Sequence, residues 1–462
     1  LPDGGIMFAS TRCKRYVPCW RVPVFVLHVC RSNGSGLRQI SPNKEAENAP
    51  CVLPDGRIIY TRWEYVDRNH VAYHHLWTTN PEGTGQTVFF GNMITDYADI
   101  GIPDLVMADA RPIYGSRQVV AVFSEHMSPD RGGYVAIVDP AQGPDRSDAV
   151  TRISMDDSPR DPVPLTAGNF LVAQDDRLAI LTRSGATSTV YRLPRELRAR
   201  ELLIHEPQIL KARRREPVLP ARVDFGKNTG KLYLEDIYHG RHMEGVRRGE
   251  IKDLLVLEGL PKPVNFSGGM TPVSYYGTFS LARVLGTIPV EVDGSAYMEL
   301  PAMRELFFVA RDAEGRSVKR MQSFLCVQPG ETTGCIGCHE NRTESPPTVS
   351  AVSKALSRPP EGVRAIPGMP DVFDFPRDIQ PILDRHCIDC HDYDATDRGG
   401  PRAGEVVLTG DRGPWFSHSY AALFMHELVS HGDNRSQSNY APRTLGSASS
   451  RLLELTDSGH YG

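Results

Sequence analysis

Four of the nine cysteines fall into two pairs with the same spacing and the same follower. "GCIGCHENR" at 334–342 and "HCIDCHD" at 386–392 each contain C-x-x-C with histidine directly behind, at His339 and His391. In C-x-x-C-H the two thiols add to the vinyl groups of a haem, and the next imidazole then stands beneath the iron as an axial ligand. The competing chemistry is a four-cysteine zinc site. Such sites usually separate their knuckles by about 15–20 residues, whereas 48 residues lie between Cys338 and Cys387, and zinc gives neither histidine a role. The pattern therefore points to two covalently attached haems c, one at Cys335, Cys338 and His339, the other at Cys387, Cys390 and His391. For the second haem, His418, His426, His431, His460 and Met425 all lie downstream as candidate sixth ligands. A histidine would hold the potential low and a methionine would raise it, within the roughly 0.8 V that axial ligands command. His460, in a "GHYG" turn after a helix, suits a loop ligand best.

Other chemistry is thinner. Cys13 and Cys19 in "TRCKRYVPCW" admit three readings: zinc ligands, a disulfide, or buried apolar thiols. Two cysteines do not complete a zinc site. With Cys30, Cys51 and Cys326 they make an odd number outside the haem motifs, so one free thiol or metal ligand is expected. His70, His74 and His75 read as core or loop residues. "GKNTGK" at 226–231 lacks the spacing and the trailing Ser/Thr of a phosphate-binding loop, and no G-x-S-x-G elbow occurs. Lys+Arg 52 against Asp+Glu 56 gives a net charge of −4, which excludes nucleic acid or an anionic membrane as the main partner; "KARRRE" at 211–216 reads as a solvated loop. No run approaches the ~18 apolar residues of a membrane span. Haem attachment takes place outside the bacterial inner membrane, so the motifs imply export to a periplasm-like space. Both ends read as cut: Leu1 opens inside a repeat and "SGHYG" ends without a stop signal.

These residues need a scaffold, and the first third repeats. "LPDGGIMFAS" at 1–10 returns as "LPDGRIIYTR" at 53–62, and "LHVCRSNGSG" at 27–36 as "LWTTNPEGTG" at 76–85, at offsets of 52 and 49 residues. Each unit reads as a Pro-Asp-Gly turn, a strand, and a second strand closed by a glycine turn. A period of 40–50 with several strands per unit signals a β-propeller; an unrelated all-β sandwich is the alternative. Segments 118–140 and 168–185 look like hairpins of the same kind. Residues 284–324 alternate apolar and polar as a small antiparallel β-unit, which sets the first haem against a sheet edge and the propeller. The Pro- and Ser-rich stretch 344–370 reads as a linker. Beyond it, Ile379, Ile382 and Leu383 mark a helical face before Cys387, with Pro381 in its first turn, and 419–432 and 447–460 read as further helices. The expected organisation is a propeller over 1–250, a β-unit with the first haem over 251–343, the linker 344–370, and a helical cytochrome c-like domain over 371–462 with the second haem.

Five blocks, "FASTRCKRYVPCWRVPVFVL", "LPDGRIIYTRWEYVDRNHVAYHHLW", "GTIPVEVDGSAYMELP", "QPGETTGCIGCHENR" and "DIQPILDRHCIDCH", resemble the hydrazine synthase α subunit and its wider group of exported propeller dihaem cytochromes c. The resemblance implies a mainly β fold, with a TolB-like, six-bladed propeller and a C-terminal α-helical cytochrome domain. It also implies an oxidoreductase in which the first haem works on a small nitrogenous substrate and the second relays electrons. The partners expected are a redox protein, cytochrome or quinol-linked, and other subunits of a hetero-oligomer. In the enzyme, a tyrosine four residues after the first motif histidine ligates iron, and the histidine helps bind zinc with cysteine. Here that position is Thr343, whose neutral hydroxyl is a poor iron ligand. His339 is therefore expected to ligate iron, as the candidate catalytic centre, and Cys13 and Cys19 are the candidates for zinc. The alternative function is a pure electron carrier or scaffold with two six-coordinate haems.

Overall fold

The computed structural model describes residues 1–65, 73–94, 105–126, 132–265, 281–338, 340, 343, 352–394, 402–430 and 439–460. The chain is mainly β. Its first part forms four antiparallel meanders: β1 (Ile6–Ser10), β2 (Val26–Cys30) and β3 (Arg38–Gln39); β4 (Glu47–Val52), β5 (Ile58–Trp63), β6 (His74–Thr79) and β7 (Thr87–Phe90); β8 (Leu105–Pro112), β9 (Val119–Glu125), β10 (Tyr134–Val138) and β11 (Val150–Arg152); and β12 (Pro159–Pro164), β13 (Asn169–Gln174), β14 (Arg177–Thr182) and β15 (Thr187–Arg192). The repeat holds at the level of single hydrogen bonds. Gly4 N donates to Leu1 O as Gly56 N does to Leu53 O, and Gly34 N to Arg31 O as Gly83 N does to Asn80 O. These glycines have φ between 80° and 98°, the left-handed conformation that such turns require.

Successive meanders stack face to face. Leu27 and Val29 of the first pack with Tyr60 and Trp77 of the second. Ile59 and Leu76 of the second meet Val119, Ala121 and Phe123 of the third, while Val120, Val135 and Ile137 on the opposite face meet Phe170, Val172 and Leu181 of the fourth. Strands β9 and β10 are therefore buried on both sides, which is why "VVAVF" and "YVAIV" are continuous apolar runs without alternation. The hairpins expected at 118–140 and 168–185 are β9–β10 and β13–β14.

A short helix, α1 (Arg195–Arg198), leads to an extended segment and then a two-sheet unit. Strands β16 (Thr229–Leu234), β17 (Asp253–Gly259), β18 (Ala282–Pro289), β19 (Ala296–Pro301), β20 (Leu306–Arg311), β21 (Ser317–Arg320), β22 (Thr332–Cys335) and β23 (Glu361–Gly362) form sheets ordered β22-β16-β19-β23 and β18-β17-β20-β21. The 284–324 strands are thus not one meander: β18 and β19, joined at Asp293-Gly294, lie in different sheets, and β16, ahead of residue 250, pairs with both β19 and β22. Their inner faces share a core of Leu232, Leu254, Val256, Ile288, Met298 and Leu300. The described part of the stretch read as a linker is fastened to this unit. Lys354 N donates to Asp293, Ala355 N to Ser295, and Arg364 exchanges two hydrogen bonds with Thr287.

The C-terminal part carries α2 (Gln380–His386), α3 (His418–Met425) and α4 (Arg451–Asp457) around Leu383, Val406, Leu408, Leu423 and Leu428. A π-helical turn over Phe375–Ile379 runs directly into α2, Pro381 lies in the first turn of α2, and Gln380 and Leu383 are the residues it buries. Ile382, expected on the buried face, is 54% exposed, and Met425 is 66% exposed at the end of α3.

Candidate haem sites

β22 is an edge strand, and its last residue is Cys335, in parallel register with Leu234 of β16. The cysteine turn then runs along residues 235–240: Glu235 N donates to Cys335 O at 3.0 Å, Asp236 N to Ile336 O at 3.0 Å, and Cys338 N to His239 O at 2.8 Å. Two glycines permit this approach. A Cβ on Gly337 would overlap the His239 carbonyl, and one on Gly240 would overlap the Cys338 carbonyl. The glycine inside C-I-G-C is visible in the motif; its partner Gly240, almost a hundred residues upstream, is not.

A half-open cavity of about 210 Å³ lies beside Cys335, Gly337 and Cys338. Leu232, Leu254, Met298 and Phe308 from both sheets of the β-unit give it apolar walls, and Asn92, Met93 and Asp145 close it from the second and third meanders. The first motif therefore does lie between a sheet edge and the repeated meanders. A second cavity, of about 530 Å³, shares Cys335, Val88 and Met321 with the first and is bordered by Arg62, Trp77, Ser323 and Glu331. Cys335 borders both cavities. Burial pushes the Cys338 thiol up to about 11, so it is protonated at neutral pH. Arg241 is paired with Asp145 at 2.9 Å, and the Lys319 ammonium donates to His242 O and Tyr440 O. His339 lies outside the described residues; Thr343 has its methyl against Gly143.

The second motif follows α2 directly. Cys390 N and His391 N both donate to Cys387 O, at 3.1 and 3.0 Å, and Cys387 packs against the C-terminal core. Burial, with Cys390 beside it, raises the Cys387 thiol. His391 Nδ1 is 3.2 Å from Val406 O, which assigns the ring proton to Nδ1 and leaves Nε2 as a metal-ligating lone pair. Facing it is His460, the candidate chosen from the sequence. The two ring centroids are 6.1 Å apart with planes 29° from parallel. Two imidazoles on opposite sides of one metal, with bonds of about 2.0 Å, place their centroids about 6.3 Å apart. Of the other candidates, His418 faces Tyr393 with ring centroids 5.6 Å apart, His426 caps α3, Met425 points to solvent, and His431 lies outside the described residues.

Cys13 and Cys19 pack against Val17, Val24, Val26, Trp63 and Tyr65. Cys13 Sγ lies 3.2 Å from Val24 O, and burial raises both thiols. No disulfide joins any of the nine cysteines, and among the described residues no third metal donor groups with this pair. Of the three readings, the buried apolar thiol is the one the packing supports. His74 stacks on Trp63 and lies 2.9 Å from His126 Nδ1, a pair that sequence spacing did not reveal. His70 lies outside the described residues.

Residues 249–340, ending on Glu340 behind the first motif, match the family profile described as the hydrazine synthase alpha subunit middle domain. This chain resembles the hydrazine synthase alpha subunit. Hydrazine synthase of Kuenenia stuttgartiensis aligns over 91% of this chain and 67% of its own, at 18% identity and a TM-score of 0.73, so the two share their fold. TolB from Acinetobacter baumannii (12% identity, 71% of this chain and 65% of its own, TM-score 0.28) and a putative TolB from Agrobacterium tumefaciens (13%, 41% and 62%, 0.28) are far more distant. No curated protein sequence matches the chain. Among the described residues of this hydrazine synthase alpha-like chain, no helix is long and apolar enough to cross a membrane.

Proposed function

We propose that this chain is an exported dihaem c-type cytochrome that carries out redox chemistry on a small nitrogenous substrate at its first haem. The observation that carries the reading is the pairing of each C-x-x-C-H motif with a fitting environment. Cys335 and Cys338 border a largely apolar cavity, and His460 lies beside His391 with ring centroids 6.1 Å apart, so both would be at hand to hold a haem. On this reading Cys335, Cys338 and His339 hold the first group, and Cys387, Cys390, His391 and His460 the second. Haem supplies one-electron chemistry and, where a coordination position is open, a binding place for a small molecule. The chain's own residues do the rest. The largely apolar walls give the first site a surface suited to a flat apolar group, and the Val406 carbonyl orients His391. The stacked meanders are read as blades of a TolB-like, six-bladed propeller, residues 371–462 as a cytochrome domain, and the partners as a redox protein and further subunits.

A second reading, an electron carrier with two six-coordinate haems, is favoured by Thr343 where the enzyme has its iron-binding tyrosine. Expression in a host that matures c-type cytochromes, a pyridine haemochrome count and carbon monoxide binding to the reduced protein separate the two. Two haems per chain with one binding carbon monoxide support the enzyme; two inert haems support the carrier; none, with zinc present, overturns both.

A further inference from the structure

Among the described residues, Lys319 is a cation on the wall of the first cavity that forms no ion pair. It is 5% exposed, lies on β21, and lines the cavity together with Met321 and Cys338. Its Nζ donates to His242 O at 2.9 Å and to Tyr440 O. An ammonium has three N–H donors; among the described residues the third has no partner and no carboxylate reaches it. The other charges on the cavity wall are the closed Arg241–Asp145 pair and Glu340, and Glu244 acts on Lys319 only from a distance. Carbonyl dipoles stabilise a buried ammonium but do not neutralise it, and an unpaired buried charge is costly.

The position is also held from two sides. Tyr440 belongs to a strap from the C-terminal part that runs along β21: Tyr440 N donates to Gln322, Arg443 N to Val318 O at 2.9 Å, and Ser317 N to Ser447 Oγ at 2.8 Å. Gly446, at φ 80°, lets the strap lie this close, since a Cβ there would come within 2.6 Å of Ser317 Oγ. So much fixation of one ammonium points to a ligand for its free donor.

We propose that Lys319 anchors an anionic oxygen ligand in this cavity, either a propionate of the haem attached at Cys335 and Cys338 or a small free oxyanion of the nitrite class. The inference rests on the proposed function and deepens it. It is tested on the haem-loaded full chain, comparing wild type with Lys319→Met and Lys319→Arg. Haem content is counted first, the midpoint potentials of both haems are measured without added anion, and nitrite is then titrated by visible spectroscopy. A lower potential at the first haem in Lys319→Met, with nitrite binding unchanged and recovery in Lys319→Arg, identifies the propionate. An unchanged potential with nitrite binding weakened about tenfold or more, as for loss of a charge-assisted hydrogen bond, identifies the free oxyanion. If neither quantity moves, the inference is overturned. If the wild type carries no haem at Cys335 and Cys338, the proposed function fails by itself. Calorimetry of nitrite with the haem-free wild type and Lys319→Met then decides the anion site: affinity lost in the variant supports it, and equal affinity or none overturns it.

Discussion

His460→Ala is the sharpest single perturbation. His460 is exposed beyond the end of α4, and its backbone donates to Leu455 O at 3.1 Å. Its removal therefore leaves the core of Leu383, Val406 and Leu423 untouched. The ring centroids of His391 and His460 are 6.1 Å apart, close enough for both imidazoles to serve one bound group. Covalent attachment depends on Cys387 and Cys390, so the variant is expected to keep both haems. One haem per chain then changes from low-spin to high-spin, and the number of carbon monoxide-binding haems rises by one. Loss of the second imidazole also raises that haem's potential by on the order of 0.2 V, a fraction of the roughly 0.8 V axial ligands span. Haemochrome counting, the reduced-minus-carbon monoxide difference spectrum and spectroelectrochemistry read the three quantities. A His460→Ala protein with two haems, an unchanged low-spin spectrum and no additional carbon monoxide binding would refute the assignment.

Three further outcomes follow from packing and charge. Gly337→Ala pushes a Cβ into the His239 carbonyl, where no rotamer change gives relief, and is expected to lower haem content from two to one per chain by haemochrome assay. Leu383→Ala, at a site 4% exposed, should destabilise the C-terminal part by about 3 kcal/mol, seen as an earlier unfolding transition in denaturant. Glu45 is fully buried, neither of its oxygens has a hydrogen-bond partner, and desolvation holds its carboxyl well above 4.5. A raised carboxyl keeps its proton longer in the folded state, so its contribution is greatest below about pH 4.5 and declines as pH rises. Glu45→Gln should flatten that part of the stability profile between pH 4.5 and 7.5, read from denaturant midpoints, and a parallel profile would contradict the account.

The sequence alone determined the local features of this protein. A thiol spacing that suits two vinyl groups, and a histidine behind it, are properties of five consecutive residues, so both haem motifs were legible. So was the repeat, because a Pro-Asp-Gly turn and a glycine at positive φ are set by backbone sterics within a few residues, and the same hydrogen bonds recur at offsets of 52 and 49. His460 was singled out because it stands in a "GHYG" turn after a helix, and the fold sets its ring 6.1 Å from that of His391. Ile382 was misplaced because the π turn over Phe375–Ile379 shifts the helical phase ahead of α2, and with it which side turns inward. Tertiary structure decided everything that depends on surfaces meeting across the chain. It paired β16 with β19 and β22, fastened the 354–364 stretch to the β-unit, and brought Gly240 against Cys338. It also brought Tyr440 to a lysine 121 residues away. Nothing in residue spacing records such contacts, since they arise only when separate apolar faces have found their common core and the polar groups caught between them take the partners that remain.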